Sequence, residues 1–232
     1  MMNRLLDLGA FVLALLATLA ALMYVTRRHD RRVFLDEQGN VVPHMTVERE
    51  EQLCMFRNVQ AGDKVLELGG RYGTVSAVLM DMTDDVVVVE PDPKVLRTLE
   101  ENLAANGFRN AKVFHGTVGA SKTKMSDGGG DGYAVQTVPC DGAECSVDHL
   151  RYDHLQERYG VVFDTIVADC EGCLPGLITH IMETDPTLGA LKTVIFETDY
   201  EDRVDYEGMY ATLRRLGFER TEGGFVQVWR RK

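Results

Sequence analysis

The chain has 232 residues, with 25 Lys and Arg against 36 Asp and Glu and a net charge of −11. Its first 32 residues hold five arginines and two acids, which leaves 20 basic and 34 acidic residues on the body, a balance of −14. Such a body repels a phosphate backbone, so nucleic acid is not the expected substrate, and its length suits one domain with a real core.

Leu8 to Thr26 is a run of 19 residues without a charge, enough to span most of a bilayer core as a helix. Arg27, Arg28, Arg31 and Arg32 follow at once, and the positive-inside rule places everything after them in the cytosol. The expectation is one N-terminal transmembrane helix on a single-pass membrane protein. A cleaved signal peptide, or a body in a Golgi or ER lumen, is the alternative. The cysteines number five: Cys54, Cys140, Cys145, Cys170 and Cys173. An odd, sparse set argues against a disulfide framework and fits a reducing compartment. Cys140 and Cys145 could pair in an oxidising lumen. Cys170-x-x-Cys173 has redox or zinc spacing but lacks two further zinc ligands.

Val33–Val42 reads as a small hairpin or arm, with Gln38-Gly39-Asn40 as its turn. A helix follows from Val47 to about Val59, with Thr46 as its N-cap, Glu48 in its first turn, and Leu53 and Phe56 towards the core. Val65, Leu66 and Leu68 read as a buried strand. Gly69, Gly70 and Gly73 then turn the chain into a helix carrying Val75, Val78, Leu79 and Met82 on one side. Val86–Glu90 is a second strand, and Lys94–Asn106 a helix stopped by Gly107. Ala111–His115 is a third strand. Ser121–Gly132 is an irregular loop, either an insertion or a lid. Tyr133–Val138 reads as a strand, and Ser146–Leu150 starts a helix running to Tyr159. Phe163–Asp169 and Leu191–Thr198 are buried strands separated by a helix with Pro175 in its first turn. A last amphipathic helix carries Tyr206, Tyr210, Leu213 and Leu216. The hairpin Phe218–Thr221 and Phe225–Trp229 closes the chain. Alternating strands and helices imply an α/β fold with a parallel, doubly wound sheet.

Ligands in such sheets bind beyond the carboxyl ends of the strands. Here those ends are Gly69–Gly73, Glu90–Pro93, His115–Gly119, Asp169–Gly172 and Glu197–Tyr200, and three of them begin with an acid. Pyrophosphate dinucleotides need G-x-G-x-x-G and an anion-ready helix start. The glycines here run Gly69-Gly70-x-x-Gly73, with Glu67 two residues earlier. A carboxylate there suits a cationic ligand with an amino-acid tail, and S-adenosylmethionine is one. Glu90 is placed to accept both ribose hydroxyls. The cofactor set is Glu67, Gly69, Gly70, Tyr72, Gly73, Glu90, Pro91, Asp92 and Thr117. Tyr72 and Arg71 face the cofactor turn and gate it, or Tyr72 is helix packing, and His115 either approaches the adenine loop or is packed.

Taken together, Leu66–Gly73, Val89–Pro93, the helix with Asn102 and Asn106, Ser146–Leu150, Asp169-Cys-Glu-Gly172 and Ile195–Glu197 resemble a class I S-adenosylmethionine-dependent methyltransferase of the FkbM family, over roughly Val59 to Trp229. The resemblance implies a Rossmann-like seven-stranded methyltransferase sheet, mostly parallel with a C-terminal antiparallel hairpin, and O-methylation of a hydroxyl on a sugar, glycan or other small acceptor. Two positions depart from the family: Ala168 where it has Lys, and Cys173-Leu174 where it has Ala-Glu. On this reading residues 1–32 are the anchor and basic flank, 33–60 an arm and helix, and 61–232 the methyltransferase domain. Asp169 aligns the acceptor or takes its proton, with Glu171 and Glu197 in support. Alternatively Asp169 caps the next helix and Glu171 is a solvated turn residue. Three acids could also hold Mg²⁺, although no metal ligand is assigned. A membrane-anchored cofactor-binding scaffold and an NAD(P)-dependent oxidoreductase are the competing functions.

Overall fold

The structure, a computed structural model, describes residues 27–126 and 136–232. Two compact units divide the chain, Met1–Val33 and Phe34–Lys232. In the first, Arg32 Nη1 lies 3.2 Å from His29 Nδ1. The sheet and the helices that cover it belong to the second.

No helix among the described residues is long and apolar enough to cross a membrane. The helix Pro93–Ala105 has 13 residues, about 20 Å at the α-helical rise, against a hydrocarbon core of ~30 Å. Among the described residues no helix supplies the expected transmembrane span, and this finding contradicts the expectation of a single-pass membrane protein. The run Leu8–Thr26 itself lies outside the described residues.

The elements of the second unit alternate as the hydrophobic pattern predicts. After a single turn at His44–Val47 come α1 (Arg49–Asn58), β1 (Lys64–Leu68), α2 (Thr74–Met82), β2 (Asp85–Glu90), α3 (Pro93–Ala105) and β3 (Lys112–His115). Short strands β4 (Thr117–Val118), β5 (Thr123–Met125), β6 (Thr137–Pro139) and β7 (His149–Leu150) follow. The chain closes with α4 (Tyr152–Tyr159), β8 (Thr165–Ala168), α5 (Leu174–Thr184), β9 (Thr193–Glu197), α6 (Tyr206–Arg215), β10 (Phe218–Glu222) and β11 (Val226–Arg231).

Seven strands form one sheet in the order β10-β11-β9-β8-β1-β2-β3. The pairs from β9 through β3 are parallel, and β11 runs antiparallel to both β9 and β10. This is the mostly parallel, Rossmann-like sheet with a C-terminal antiparallel hairpin that was expected. Parallel strands are covered on both faces, which explains the unbroken apolar run Val86–Val89.

The two-residue period of the strands sorts their side chains between the faces. Leu66, Leu68, Val87, Val89, Ile166, Ala168, Val194 and Phe196 share one core with Leu155 of α4, Leu177 of α5 and Leu213 of α6. Val65, Glu67, Val88, Val167 and Ile195 alternate with them and so point to the opposite face. There Val88 and Leu99 of α3 crowd Gly70. Glu67, although charged by type, is 1% exposed.

Three differences from the sequence reading have physical causes. The helix expected from Ser146 begins at Tyr152, because His149 and Leu150 pair with Thr117 and Val118 as a short parallel strand. The irregular stretch after Ser121 contains β5, which pairs antiparallel with β6. The triglycine Gly128–Gly130 and Tyr133 lie outside the described residues. Cys140–Cys145 and Cys170–Cys173 are disulfides, and Cys54 is free and buried. Each bridge spans five residues or fewer, so the pairs close local turns and tie no distant parts of the fold together.

Candidate active site

A cavity of about 340 Å³ opens beyond the carboxyl ends of β1, β2 and β8, with Gly69, Glu90, Thr117, Asp169 and Glu171 in its wall. Parallel strands all end on this side, which gathers residues far apart in sequence.

The first wall is the turn after β1. Gly69 has φ +92°, and a Cβ there would lie 1.8 Å from the Asp169 carbonyl oxygen. Only glycine lets β1 and β8 approach so closely at their ends. Gly73, with φ +81°, packs on Leu99 and Leu103 and starts α2. Gly70 and Gly73 thus seat the turn on α3 and do not line the cavity. Tyr72 does not line it either. Its hydroxyl donates to Glu37 Oε2 at 2.6 Å, and the Arg71 guanidinium lies 4.9 Å from its ring centre. Asn102 of α3 clamps this turn to the arm. Its amide nitrogen donates to the carbonyls of Leu35 and Tyr72, and its oxygen accepts from Leu35 N–H.

The second wall is the end of β2. Glu90 accepts the backbone N–H of Arg71 at 2.8 Å on Oε2 and of Asp92 at 2.7 Å on Oε1. The carboxylate is therefore fixed in orientation, with one lone pair left on each oxygen. Burial raises its pKa, and those two amides offset part of the rise. Pro91 lines the cavity beside it. Asp92 is turned away and caps α3 through Lys94 N–H. Thr117 lines the cavity and bonds Thr123 Oγ1 at 2.8 Å and His149 Nδ1 at 3.2 Å.

The third wall follows β8. Asp169, Cys170, Glu171 and Cys173 line the cavity. Glu171 and Gly172 adopt positive φ, 57° and 88°, and the Cys170–Cys173 bridge closes this turn. Asp169 does not cap α5, whose N-cap is Cys173. Burial pushes the Asp169 carboxyl up to about 7, helped by the charges of Asp199 and Glu171. Glu197 is pushed up to about 8 by burial and by Asp169 and Asp199. Asp169, Glu197 and Asp199 each present an oxygen within 4.8 Å of the others.

Glu67 lies outside the cavity wall. Its carboxyl oxygens make no hydrogen bond, and Ser76 Oγ is close by but outside bonding geometry. Burial pushes it up to about 8. His115 does not line the cavity.

Three acids were not picked out from the sequence. Glu48 Oε2 accepts the hydroxyl of Thr74, the first residue of α2. Glu51 of α1 is 5% exposed, and burial, followed by the like charges of Asp169 and Glu197, raises its pKa well above the usual carboxylate range. Asp199 joins Asp169 and Glu197. Helical spacing carried a signal for one of them: Glu51, Met55 and Asn58 lie at i, i+4 and i+7, so Glu51 shares the buried face of α1.

No family model and no curated protein matches this chain. Among solved structures it is similar to a precorrin-6y C5,15-methyltransferase from Geobacter metallireducens, with 13% identity, a TM-score of 0.48, and 82% of this chain and 92% of that chain covered. It is also similar to an O-methyltransferase from Bacillus cereus in complex with SAH, with 14% identity, a TM-score of 0.45 and 91% of each chain covered. A putative tRNA (m1A22) methyltransferase from Streptococcus pneumoniae, in complex with S-adenosyl-L-methionine, shares 16% identity at a TM-score of 0.44, over 78% of this chain and 72% of that one.

Proposed function

We propose that the protein is an S-adenosylmethionine-dependent methyltransferase that O-methylates a hydroxyl-bearing acceptor, a sugar, glycan or other small molecule, as an FkbM-type enzyme would. The observation that carries the reading is the pairing of Gly69 with Glu90 on one cavity. Gly69 keeps a Cβ out of the space beside Asp169, and Glu90 stands fixed by two backbone amides with two lone pairs to offer. That arrangement fits a nucleoside whose two ribose hydroxyls donate to one carboxylate. The cavity is within the size range of small-ligand sites.

When bound, S-adenosylmethionine supplies a methyl group on a sulfonium, which passes to the acceptor oxygen as the C–S bond breaks and its electron pair stays on sulfur. The chain's own residues do the rest. Glu90 orients the nucleoside, and Pro91 and Thr117 wall it. Asp169 faces the same cavity from the end of β8. With its proton affinity raised to near neutrality, it is matched to accept the hydroxyl proton at working pH. Glu171 and Glu197 set the negative field around it.

Calorimetry with S-adenosylmethionine tests the first step. The expected result is one site per chain in the micromolar range. No heat at about millimolar cofactor, from a folded preparation, would sink the reading, since methyltransferases of ordinary affinity saturate below that level. Labelled methyl transfer into fractionated glycan, lipid and metabolite extracts then identifies the acceptor class.

A further inference from the structure

Cys170-x-x-Cys173 is a motif of the sequence that the proposed reaction leaves unused. Both cysteines line the cavity, and they are bridged to each other. The remaining cysteines are placed differently. Cys140 and Cys145 are bridged away from the cavity wall. Cys54 is buried, and burial pushes its thiol up to about 11. A disulfide constrains the unfolded chain more the longer the loop it closes. At a sequence separation of 3, the Cys170–Cys173 bridge adds little in that way.

What the bridge does hold is the turn between β8 and α5. Both ends of that turn are anchored without it. Asp169 N–H donates to the Leu68 carbonyl at 3.0 Å, and the Cys173 carbonyl accepts from Leu177 N–H at 3.2 Å. Between them Glu171 and Gly172 stand at φ 57° and 88°, a region that L side chains rarely adopt. The bridge closes over these two residues. Glu171 in turn links three parts of the site. Its backbone N–H donates to the Asp199 carboxylate, and its own carboxylate accepts the Tyr200 hydroxyl. Its carbonyl lies 3.5 Å from Gln136 Nε2, just ahead of β6. Opening the bridge therefore frees Cys170–Gly172 while Asp169 stays in register with β1.

We propose that Cys170–Cys173 is a redox-active disulfide, opened by a dithiol and re-formed by a low-molecular-weight disulfide that reach it through the cavity, and that its state sets the position of Glu171. Cys173 is the N-cap of α5, and no side chain caps that helix. A thiolate there is stabilised by the helix dipole, which makes Cys173 the better leaving sulfur. A thiolate of the dithiol attacks Cys170 Sγ, the Cys170–Cys173 bond breaks, and its electron pair leaves on Cys173 Sγ. The second thiol then displaces Cys170 from the mixed disulfide. The chain gains two electrons and two protons, and the reductant becomes a disulfide. An effect of the pair on methyl transfer rests on the methyltransferase reading; its redox activity does not.

The test treats the full native chain with dithiothreitol and then with oxidised glutathione. Alkylation and mass spectrometry follow the cysteines, and hydrogen exchange follows the turn. The Cys170–Cys173 bridge should open and re-form without unfolding. On opening, amides of Cys170–Gly172 should exchange about ten-fold faster or more, while those of β1 and β8 keep their rates. S-adenosylmethionine affinity should stay within about two-fold, because Glu90 stands on another wall, whereas labelled methyl transfer into the extract should change about ten-fold or more. These responses should persist in a Cys140→Ser, Cys145→Ser double variant. They should vanish in Cys173→Ser and in Cys170→Ser, each checked for a native circular dichroism spectrum. A bridge that opens only on unfolding, or a response that survives in Cys173→Ser and Cys170→Ser, would overturn the proposal. So would a bridge that cycles while exchange in Cys170–Gly172 stays constant. S-adenosylmethionine binding without redox cycling removes this inference alone. Cycling with faster exchange, but without S-adenosylmethionine binding, upholds the redox pair and removes the methyltransferase reading.

Discussion

Glu67 gives the sharpest test of how this structure handles charge. The folded chain holds its proton up to about pH 8, whereas an unfolded chain releases it near 4.5. Between those values the folded state binds more protons, so stability falls as pH rises through the window. At ~1.4 kcal/mol per pH unit, the loss reaches about 3 kcal/mol by pH 7 and about 4 kcal/mol by pH 8, where Glu67 is half ionised in the folded chain. Glu67→Gln keeps the shape and removes the titration. Urea unfolding of both proteins at pH 5, 6, 7, 8 and 9 should show curves that agree near pH 5 and diverge above it, with the variant more stable at pH 8 by several kcal/mol. A difference between the two that stays constant with pH would refute the assignment of a buried, protonated Glu67. The same pair of proteins tests its place in the site. If the carboxylate ionises to meet a cationic ligand, S-adenosylmethionine affinity rises with pH in the wild type, and the rise is absent in Glu67→Gln.

Glu90→Ala should weaken S-adenosylmethionine binding about 10- to 100-fold, from lost charge-assisted hydrogen bonds and two stranded backbone amides. Asp169→Ala should weaken it less, and equal losses in calorimetry would count against the ribose role of Glu90. Asp169→Ala should instead lower turnover at saturating cofactor by about 10²-fold or more, the usual contribution of a positioned base; unchanged turnover in a single-turnover assay would take Asp169 out of the mechanism. Gly69→Ala should cost at least about 3 kcal/mol of folding stability, because its Cβ would meet the Asp169 carbonyl oxygen at a positive φ. Gly119→Ala, with open space around it, should stay within about 0.5 kcal/mol, and a wild-type melting temperature for Gly69→Ala would show that β1 and β8 are not so close.

Much of the fold was legible because strands and helices leave periodic traces. The Val65–Leu68 and Val86–Glu90 runs, the stripes of Val95, Leu99 and Leu103, and the closing hairpin all stand where their patterns place them. The glycine turn was legible as a turn, but its division of labour was not. Only three-dimensional neighbours tell that Gly69 faces a carbonyl of β8 while Gly70 and Gly73 rest on α3. The two-residue strand His149–Leu150 was hidden for a similar reason. Its stability comes from pairing with Thr117 and Val118, more than 30 positions earlier, and a dipeptide has no period of its own. Glu48 and Glu51 were missed because acids at a helix start satisfy the dipole rule, a sufficient local account that hides a tertiary one.

The acids also explain why a body of charge −14 need not be read as a uniformly solvated surface. Several of its carboxyl groups stand on one face of the sheet at or near the strand ends, where burial and mutual repulsion both disfavour their ionised forms. A folded chain keeps such an arrangement at a loss of stability. The loss is relieved by protonation, by a cationic ligand or by an ion, and each leaves a distinct trace. Protonation raises stability on acidification alone. A ligand that binds only the folded state raises it at fixed pH, by about 2.7 kcal/mol at a hundred-fold excess over its Kd. The stability of the chain is thus a direct readout of what its acidic face is built to hold.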